Sequence, residues 1–304
     1  MIKLSIIICT YNRADILTYC LNSISKQNIS QDYFELIVVD NNSTDSTQDV
    51  CNLFSKKFKN FKYIEEKQIG LSYARNTGYL NAKADWVAYI DDDAKLRLNY
   101  ISEAINTIQN YTFDVIGGKY LAWYLFGKKK WLNDKFGVFK DLRSSIGFVK
   151  KGYVAGGNMI IRKVILETLN GFDTDLGMAG NKIGYGEETF FQDKLRKQGF
   201  VIWYNPNLII DHLVGKHKLK LSWHLKSAYA FGRDNYKMWG DREITQFYIV
   251  KTIWKSLLQF PKYISKVIAD KNYYWQNAYL DILKPIWQSF GEYNGYRNTK
   301  NTKK

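Results

Sequence analysis

The chain has 304 residues, 46% of them apolar and 16% aromatic, with only 3 prolines, so it can bury a substantial core as one large domain or two small ones. That composition excludes a disordered chain, with the polar last residues, Asn294 to Lys304, expected outside the fold. A formal charge of +15 points towards polyanions, whether nucleic acid, anionic lipid or phosphorylated small molecules. Cys9, Cys20 and Cys51 are scattered without CxxC spacing, which fits reduced thiols in a cytoplasm. No charged and apolar leader precedes the first strand-like run, and no run approaches the roughly 18 apolar residues that a membrane span needs.

The first hundred residues alternate between two periods. Leu4 to Cys9 reads as a strand, Ile16 to Gln27 as a helix, Phe34 to Asp40 as a strand and Ser46 to Phe58 as a helix. Phe61 to Glu65 (strand), Leu71 to Asn81 (helix) and Trp86 to Ile90 (strand) continue the series. Such alternation builds βαβ units on a mainly parallel sheet, in which ligands bind beyond the carboxyl ends of the strands. Thr10 to Arg13, Asp40 to Asn42 and Asp91 to Asp93, each following a strand, are therefore expected at one crevice. Neither GxxxxGK[ST] nor GxGxxG occurs, which removes the main support for NTPase and dinucleotide readings.

From Lys119 to Lys151 the pattern is irregular, aromatic and basic, and reads as a long loop or lid. Tyr153 to Ile161 reads as a strand interrupted by Gly156-Gly157, where backbone can approach a ligand closely. Gly184 to Glu188 opens a helix that Gly199 ends, and Val201 to Tyr204 and Leu208 to Ile210 read as two short closing strands with His212 just after the second. From Phe231 the chain becomes a basic helical tail, with thirteen Lys or Arg against six Asp or Glu. Val250, Ile253, Trp254, Leu257, Leu258, Ile264 and Ile268 recur at helical spacing, with Pro261 as a kink. This apolar stripe either packs on the rest of the protein or lies in the headgroup region of an anionic membrane.

Three consecutive carboxylates at the lip of a core, Asp91, Asp92 and Asp93, repel one another unless water, donors or a cation neutralise them. A solvated acidic turn capping the next helix is one solution. The other is a hard divalent cation, Mg2+ or Mn2+, shared with the phosphates of a substrate.

The blocks Ser5 to Arg13, Val38 to Asp45, Gly70 to Gly78 and Asp91 to Asp93 together resemble the family 2 glycosyltransferases of GT-A fold. Gly171-Phe172-Asp173, Gly186-Glu187-Glu188 and His212 continue the pattern, so the resemblance covers about residues 1 to 230. It implies an α/β fold, a Rossmann-like and mainly parallel mixed sheet flanked by helices. Residues 1–100 would be the nucleotide-binding half and 101–230 the acceptor half of one catalytic domain, with residues 231–304 a C-terminal helical extension.

The resemblance also implies roles. Thr10, Tyr11 and Arg13 would cradle the base and phosphates of the donor, and Asp40, as an acceptor, would take a hydrogen bond from the base. Arg75 would face the diphosphate or hold a structural ion pair. Asp91 and Asp93 match the family's DxD pair and, with His212, would bind ribose and Mn2+ or Mg2+, with Asp92 assisting. The metal would neutralise the departing nucleoside diphosphate. An inverting transfer needs a base for the acceptor hydroxyl, and Glu188, or its neighbour Glu187, occupies the matching helix start. Gly156, Gly157 and Asn158 would line the sugar or acceptor pocket, Trp123 or Trp131 would stack on a sugar face, and Lys216 to Lys218 would close over the diphosphate.

The expected protein is a metal-dependent, inverting transferase moving a sugar from a nucleotide sugar, UDP-linked before other bases. Its acceptor would be a glycan or lipid-linked hydroxyl in bacterial-type surface polysaccharide or glycoconjugate synthesis. It would be cytoplasmic, with the tail either packed or peripheral on the membrane. A basic nucleic-acid-binding protein is the main alternative, without a recognised binding module. A nucleotidyltransferase would need a glycine-rich GxGxR segment after the first strand, which is missing.

Overall fold

The computed structural model describes residues 1–302. The chain divides into two units. The first comprises residues 1–123, 137–175 and 187–213, and the second comprises residues 124–136, 176–186 and the chain from Val214 onward.

The first unit is a nine-stranded mixed sheet. Strands β1 (Leu4–Thr10), β2 (Phe34–Asp40), β3 (Phe61–Glu65) and β4 (Trp86–Asp91) pair in parallel in the order β3-β2-β1-β4. Helices α1 (Ala14–Ser25), α2 (Thr47–Ser55) and α3 (Leu71–Leu80) form the crossovers between them. β1 and β2 are buried along nearly their whole lengths because parallel strands are covered on both faces. One cluster, with Ile6, Ile8, Leu17 and Val38, covers one face, and another, with Ile7, Ile37, Val39 and Ala74, covers the other.

Beyond β4 lie β5 (Ala94–Leu96), α4 (Tyr100–Asn110), β6 (Val115–Trp123), β7 (Gly147–Phe148), β8 (Asn158–Arg162), α5 (Lys163–Thr168), α6 (Glu187–Lys197) and β9 (Ile202–Leu213). The sheet continues β4-β8-β6-β9-β5, with β8 antiparallel to both β4 and β6. Three expectations are corrected in this half. Residues 119 to 123 belong to strand β6 and only part of the following segment is irregular, because their backbone pairs in parallel with Ile209 to Leu213 of β9. The strand expected from Tyr153 begins at Asn158, after an irregular Gly156-Gly157. The two short closing strands are one strand, β9, which reaches past His212. Its register against β6 jumps from Asn205 to Ile209, because Pro206 has no N–H for the ladder and the chain bulges there.

The second unit holds helices α7 (Leu221–Trp239), α8 (Gln246–Leu258), α9 (Phe260–Ala269) and α10 (Trp275–Thr302). A small core of Trp131, Leu132, Leu225 and Leu280 lies within it, and Asn277 donates to the Trp131 carbonyl at 2.8 Å. Trp131 is therefore a core residue of this unit and not an open stacking platform for a sugar. Helices α7 and α10 approach closely through glycines. A Cβ on Gly232 would lie 2.2 Å from the Gln288 carbonyl oxygen, and one on Gly291 would lie 2.0 Å from that of Tyr229. Pro261 does not kink one long helix but sits in the first turn of α9, where its missing N–H costs nothing. The polar end is also corrected. Asn294 to Thr302 continue α10, and residues 303–304 lie outside the described residues. Among the described residues no helix is long and apolar enough to cross a membrane.

Phe172 shows how packing serves position in the first unit. Its ring meets Tyr89 edge-on at 5.4 Å and Phe191 at 4.8 Å, and the Arg75 guanidinium lies 5.2 Å over it. Asn76 clamps its backbone by accepting from the Phe172 N–H and donating to its carbonyl. Phe172→Ala is expected to cost about 3–5 kcal/mol in chemical denaturation. A loss below about 1 kcal/mol would show that the ring is not packed in this way.

Candidate active site

The loops after the parallel strands meet as expected at the carboxyl edge of the sheet. Asn12 follows β1 in the left-handed region, φ 51°, which asparagine tolerates better than most residues. Its side-chain oxygen accepts from the Thr44 and Asp45 N–H groups, and its own N–H donates to Ser43 Oγ, so the first loop is tied to the second. Asp45 in turn accepts from the Ala14 N–H at the start of α1. Asp40, at the end of β2, is buried and accepts from the Ser43 N–H at 2.9 Å and the Tyr63 hydroxyl at 2.8 Å. Tyr11 is half-buried on the same loop as Asn12.

The aspartate triplet is divided in its work. Asp92 points into the protein, where Thr10 Oγ1 donates to it at 2.8 Å and Arg13 at 2.9 Å. Burial, with Asp93 close by, pushes its carboxyl up to about 6 against the pull of Arg13. The same Arg13 nitrogen reaches Asp93 at 3.1 Å, so this guanidinium spans two of the three carboxylates. Asp91 and Asp93 turn towards His212, whose Nε2 lies 3.9 Å from Asp91 Oδ2 and 3.0 Å from Asp93 Oδ1. Strand pairing fixes this proximity, since His212 is the partner of Ala94 in β5 and the Leu213 N–H donates to the Asp93 carbonyl.

These three side chains fit a divalent cation. One ligand atom from each lies within 4.8 Å of the others, and no other group of three potential ligands of this kind occurs among the described residues. His212 Nδ1 is buried without a hydrogen-bond partner among those residues, so nothing within the protein fixes the imidazole by that atom. Tyr120, from β6, packs against the imidazole with ring centroids 4.5 Å apart and planes tilted by 35°, and donates to Asp91 at 3.3 Å. Sequence reasoning missed Tyr120 because its segment was read as part of a loop. No period-2 pattern marks Lys119 to Trp123, and the one local signal is the aromatic and apolar content of Tyr120 to Trp123, which suits a strand.

Arg75 connects this centre to the second pair of carboxylates. Only 4% exposed, it donates to Glu187 at 2.9 Å and lies 3.9 Å from Asp91. Burial disfavours its charge, and Glu187, Asp91 and Glu188 overcome that cost and raise its pKa. Both expected roles are compatible with this position, since the ion pair with Glu187 leaves the guanidinium facing Asp91. Glu188, beside Glu187 in the first turn of α6, is pushed up to about 8 by burial and by the charge of Glu187. Gly156 and Gly157 make the closeness possible. A Cβ on Gly157 would lie within 1.9 Å of the Asp91 carboxylate, and one on Gly156 would press on Arg75 and Glu188 at 3.0–3.1 Å.

Other expected residues are placed elsewhere. Asn158 is fully buried, accepting from the Tyr100 hydroxyl and donating to the Lys119 and Leu208 carbonyls, so it braces strands and is not open to a sugar. The Trp123 ring packs edge-on against Tyr19 and carries the Lys95 ammonium over its face at 3.6 Å. Lys216, His217 and Lys218 form a short turn of 3-10 helix in the second unit.

The model of glycosyl transferase family 2 matches residues 5–169, and the chain belongs to that family. It is a glycosyltransferase on the expected GT-A fold, a mixed sheet flanked by helices with further helices at the C-terminal end. Glycosyltransferase AglE of Haloferax volcanii is 24% identical over 77% of this chain and 73% of its own. A poly(ribitol-phosphate) beta-glucosyltransferase of Bacillus spizizenii is 32% identical over 46% of this chain but only 19% of its own length. Among solved structures, the mannosyltransferase PcManGT from Pyrobaculum calidifontis, in complex with GDP-Man and Mn2+, has a TM-score of 0.62 at 20% identity. That match covers 99% of this chain and 87% of the other. S. aureus TarS 1-349 in complex with UDP-GlcNAc has a TM-score of 0.59 at 17% identity, covering 99% and 91%.

The Arg75–Glu187 pair generates a stability test. Arg75→Met strands a buried Glu187 and is expected to cost roughly 3–5 kcal/mol, while Arg75→Met with Glu187→Gln recovers part of that loss. Strictly additive effects in denaturant titrations would refute the coupling.

Proposed function

We propose that the first unit is a metal-assisted inverting glycosyltransferase site. It moves a hexosyl or N-acetylhexosaminyl group from a nucleotide sugar, a UDP-sugar before others, to a hydroxyl of a glycan or lipid-linked acceptor in surface polysaccharide or glycoconjugate synthesis. The observation that carries this reading is the juxtaposition of two acidic groups across consecutive glycines: Asp91 against Gly157, Glu188 against Gly156, and Arg75 between them. The catalytic region would be residues 1–230, with 231–304 as an accessory helical tail.

Asp91, Asp93 and His212 are the residues that would hold the cation. An imidazole beside two carboxylates suits Mn2+ better than Mg2+, which prefers oxygen alone. When bound there, the divalent cation supplies neutralisation of the charge that builds on the departing diphosphate. PcManGT, solved with GDP-Man and Mn2+, and TarS, solved with UDP-GlcNAc, support a nucleotide-sugar donor of this kind. Tyr11 and Asp40 line the nucleotide end. Thr10 and Arg13 act through Asp92, which they hold in place so that its neighbours face outward.

Glu188 is the base. Its carboxylate takes the proton of the acceptor hydroxyl as that oxygen bonds to the anomeric carbon from the face opposite the phosphate. The carbon–oxygen bond to the diphosphate breaks, and its electron pair leaves with the nucleoside diphosphate. Glu187 keeps Arg75 in place and, by its charge, holds the proton affinity of Glu188 high enough for the task. Glu187 on the same helix, Arg75 on α3 and Tyr120 on β6 are the titratable groups that face Glu188.

Because the base works ionised, kcat/KM is expected to rise with pH through about 8 and then level. Glu187→Gln removes a neighbouring negative charge and is expected to shift that limb to lower pH. Glu188→Gln is expected to lower kcat roughly 10²- to 10⁴-fold with donor binding retained. Unchanged turnover in Glu188→Gln would sink the assignment. For the donor and metal, hydrolysis of UDP-, GDP- and dTDP-sugars is expected to cease in EDTA and to return more fully with Mn2+ than with Mg2+. Turnover indifferent to EDTA would refute the metal centre.

A further inference from the structure

The second unit carries an apolar surface that the proposed chemistry does not use. On α8, Ile249 and Ser256 face inward and are buried, while the opposite side shows Phe247, Trp254 and Leu258 at 74%, 64% and 74% exposure. Helix α9 follows after the single residue Gln259 and buries none of its residues. Its Phe260, Ile264 and Ile268, spaced four apart, form one exposed stripe, with Ile268 at 83%. Single exposed apolar residues are ordinary on a protein surface, but two consecutive helices each presenting an aromatic and aliphatic stripe mark a docking face.

The charge around the stripes identifies the occupant. From Ile244 to Ala269 there is no Asp or Glu, while Lys251, Lys255, Lys262 and Lys266 are all exposed. A second copy of the chain packed through the same face would bring lysines against lysines with no carboxylate in the segment to offset them. The helices have 13 and 10 residues, about 20 Å and 15 Å long. Each is too short to cross a hydrocarbon core of about 30 Å and can only lie along a surface. Lysines that snorkel past buried stems, with Trp and Phe at the same level, match an interfacial helix on anionic lipid.

We propose that the α8–α9 pair is the site at which this protein docks on an anionic bilayer. The two helices lie in the headgroup layer with Phe247, Trp254, Leu258, Phe260, Ile264 and Ile268 inserted, and the lysines engage lipid phosphates. The membrane reading stands apart from the transfer reaction, since it requires neither donor nor acceptor.

Flotation of the full chain with phosphatidylglycerol–phosphatidylcholine vesicles tests it, beside vesicles of phosphatidylcholine alone. The expected result is binding to the anionic vesicles, weakened at least roughly tenfold in high salt. Trp254→Ser/Leu258→Ser/Ile268→Ser should bind at least roughly tenfold less at an unchanged thermal midpoint, since these side chains are exposed. If that variant fails to fold, Trp254→Ser alone gives the same comparison. Replacing the four lysines by glutamine should abolish the preference for anionic lipid. No flotation, or flotation that neither variant alters, overturns the proposal. So does a dimer in light scattering that the triple variant dissolves while vesicle binding is absent.

Discussion

A single guanidinium ties the first unit of this protein together. Arg75 is buried, and a charge in that position is tolerated only if carboxylates surround it. They come from two distant stretches of chain, Asp91 at the end of β4 and Glu187 at the start of α6. Around this one charge, α3, β4 and α6 must hold their relative positions, and the aromatic rings of Tyr89 and Phe172 close over it. Consecutive glycines at 156 and 157 follow from the same constraint, because any side chain there would push the carboxylates apart. The ion pair is thus less a source of stability than a means of specifying one arrangement.

The balance of charge at the site explains the unusual proton affinities. Asp91, Asp92, Asp93, Glu187 and Glu188 face two guanidiniums, those of Arg13 and Arg75, so the carboxylates outnumber their partners. The excess is carried where burial is greatest and compensation least. Glu188, with Glu187 already committed to Arg75, therefore holds its proton up to about 8, while Asp92, gripped by Thr10 and Arg13, moves only to about 6. A cation between Asp91, Asp93 and His212 would remove the imbalance on that side. Glu188, on the other side of Arg75, stays under the charge of Glu187, which keeps its proton affinity high.

Much of this was legible in the sequence where one short segment carries the whole signal. The parallel strands β1 and β2 carry short runs of Ile, Val and Leu that alternate with helical patterns, and the loops at the strand ends hold Thr10, Arg13, Asp40 and the aspartate triplet in recognisable blocks. What escaped depends on pairing between distant segments. The second half of β6, Lys119 to Trp123, reads like the irregular, aromatic and basic stretch that runs on to Lys151, and Tyr120 is hidden with it. Asn158 has the residue type of a sugar contact, but nothing local shows that Tyr100, Lys119 and Leu208 consume its hydrogen bonds. His212 was recognised from its order in the chain, whereas its role as an extended residue beside Asp93 arises from the β5–β9 register.

The helical tail shows the same limit in another form. Periodicity reports which residues share a face, not whether that face is covered. Helices α7 and α10 resolve the question by glycine, since Gly232, Gly291 and Gly295 let backbone meet backbone and so exclude water between them. Helices α8 and α9 contain no glycine and have large side chains on the outward face, which no comparably close helix–helix contact could accommodate. A face built of Trp, Phe, Leu and Ile without carboxylates gains nothing from water and little from a rigid, close-packed partner. It gains most from a deformable apolar phase bordered by negative charge.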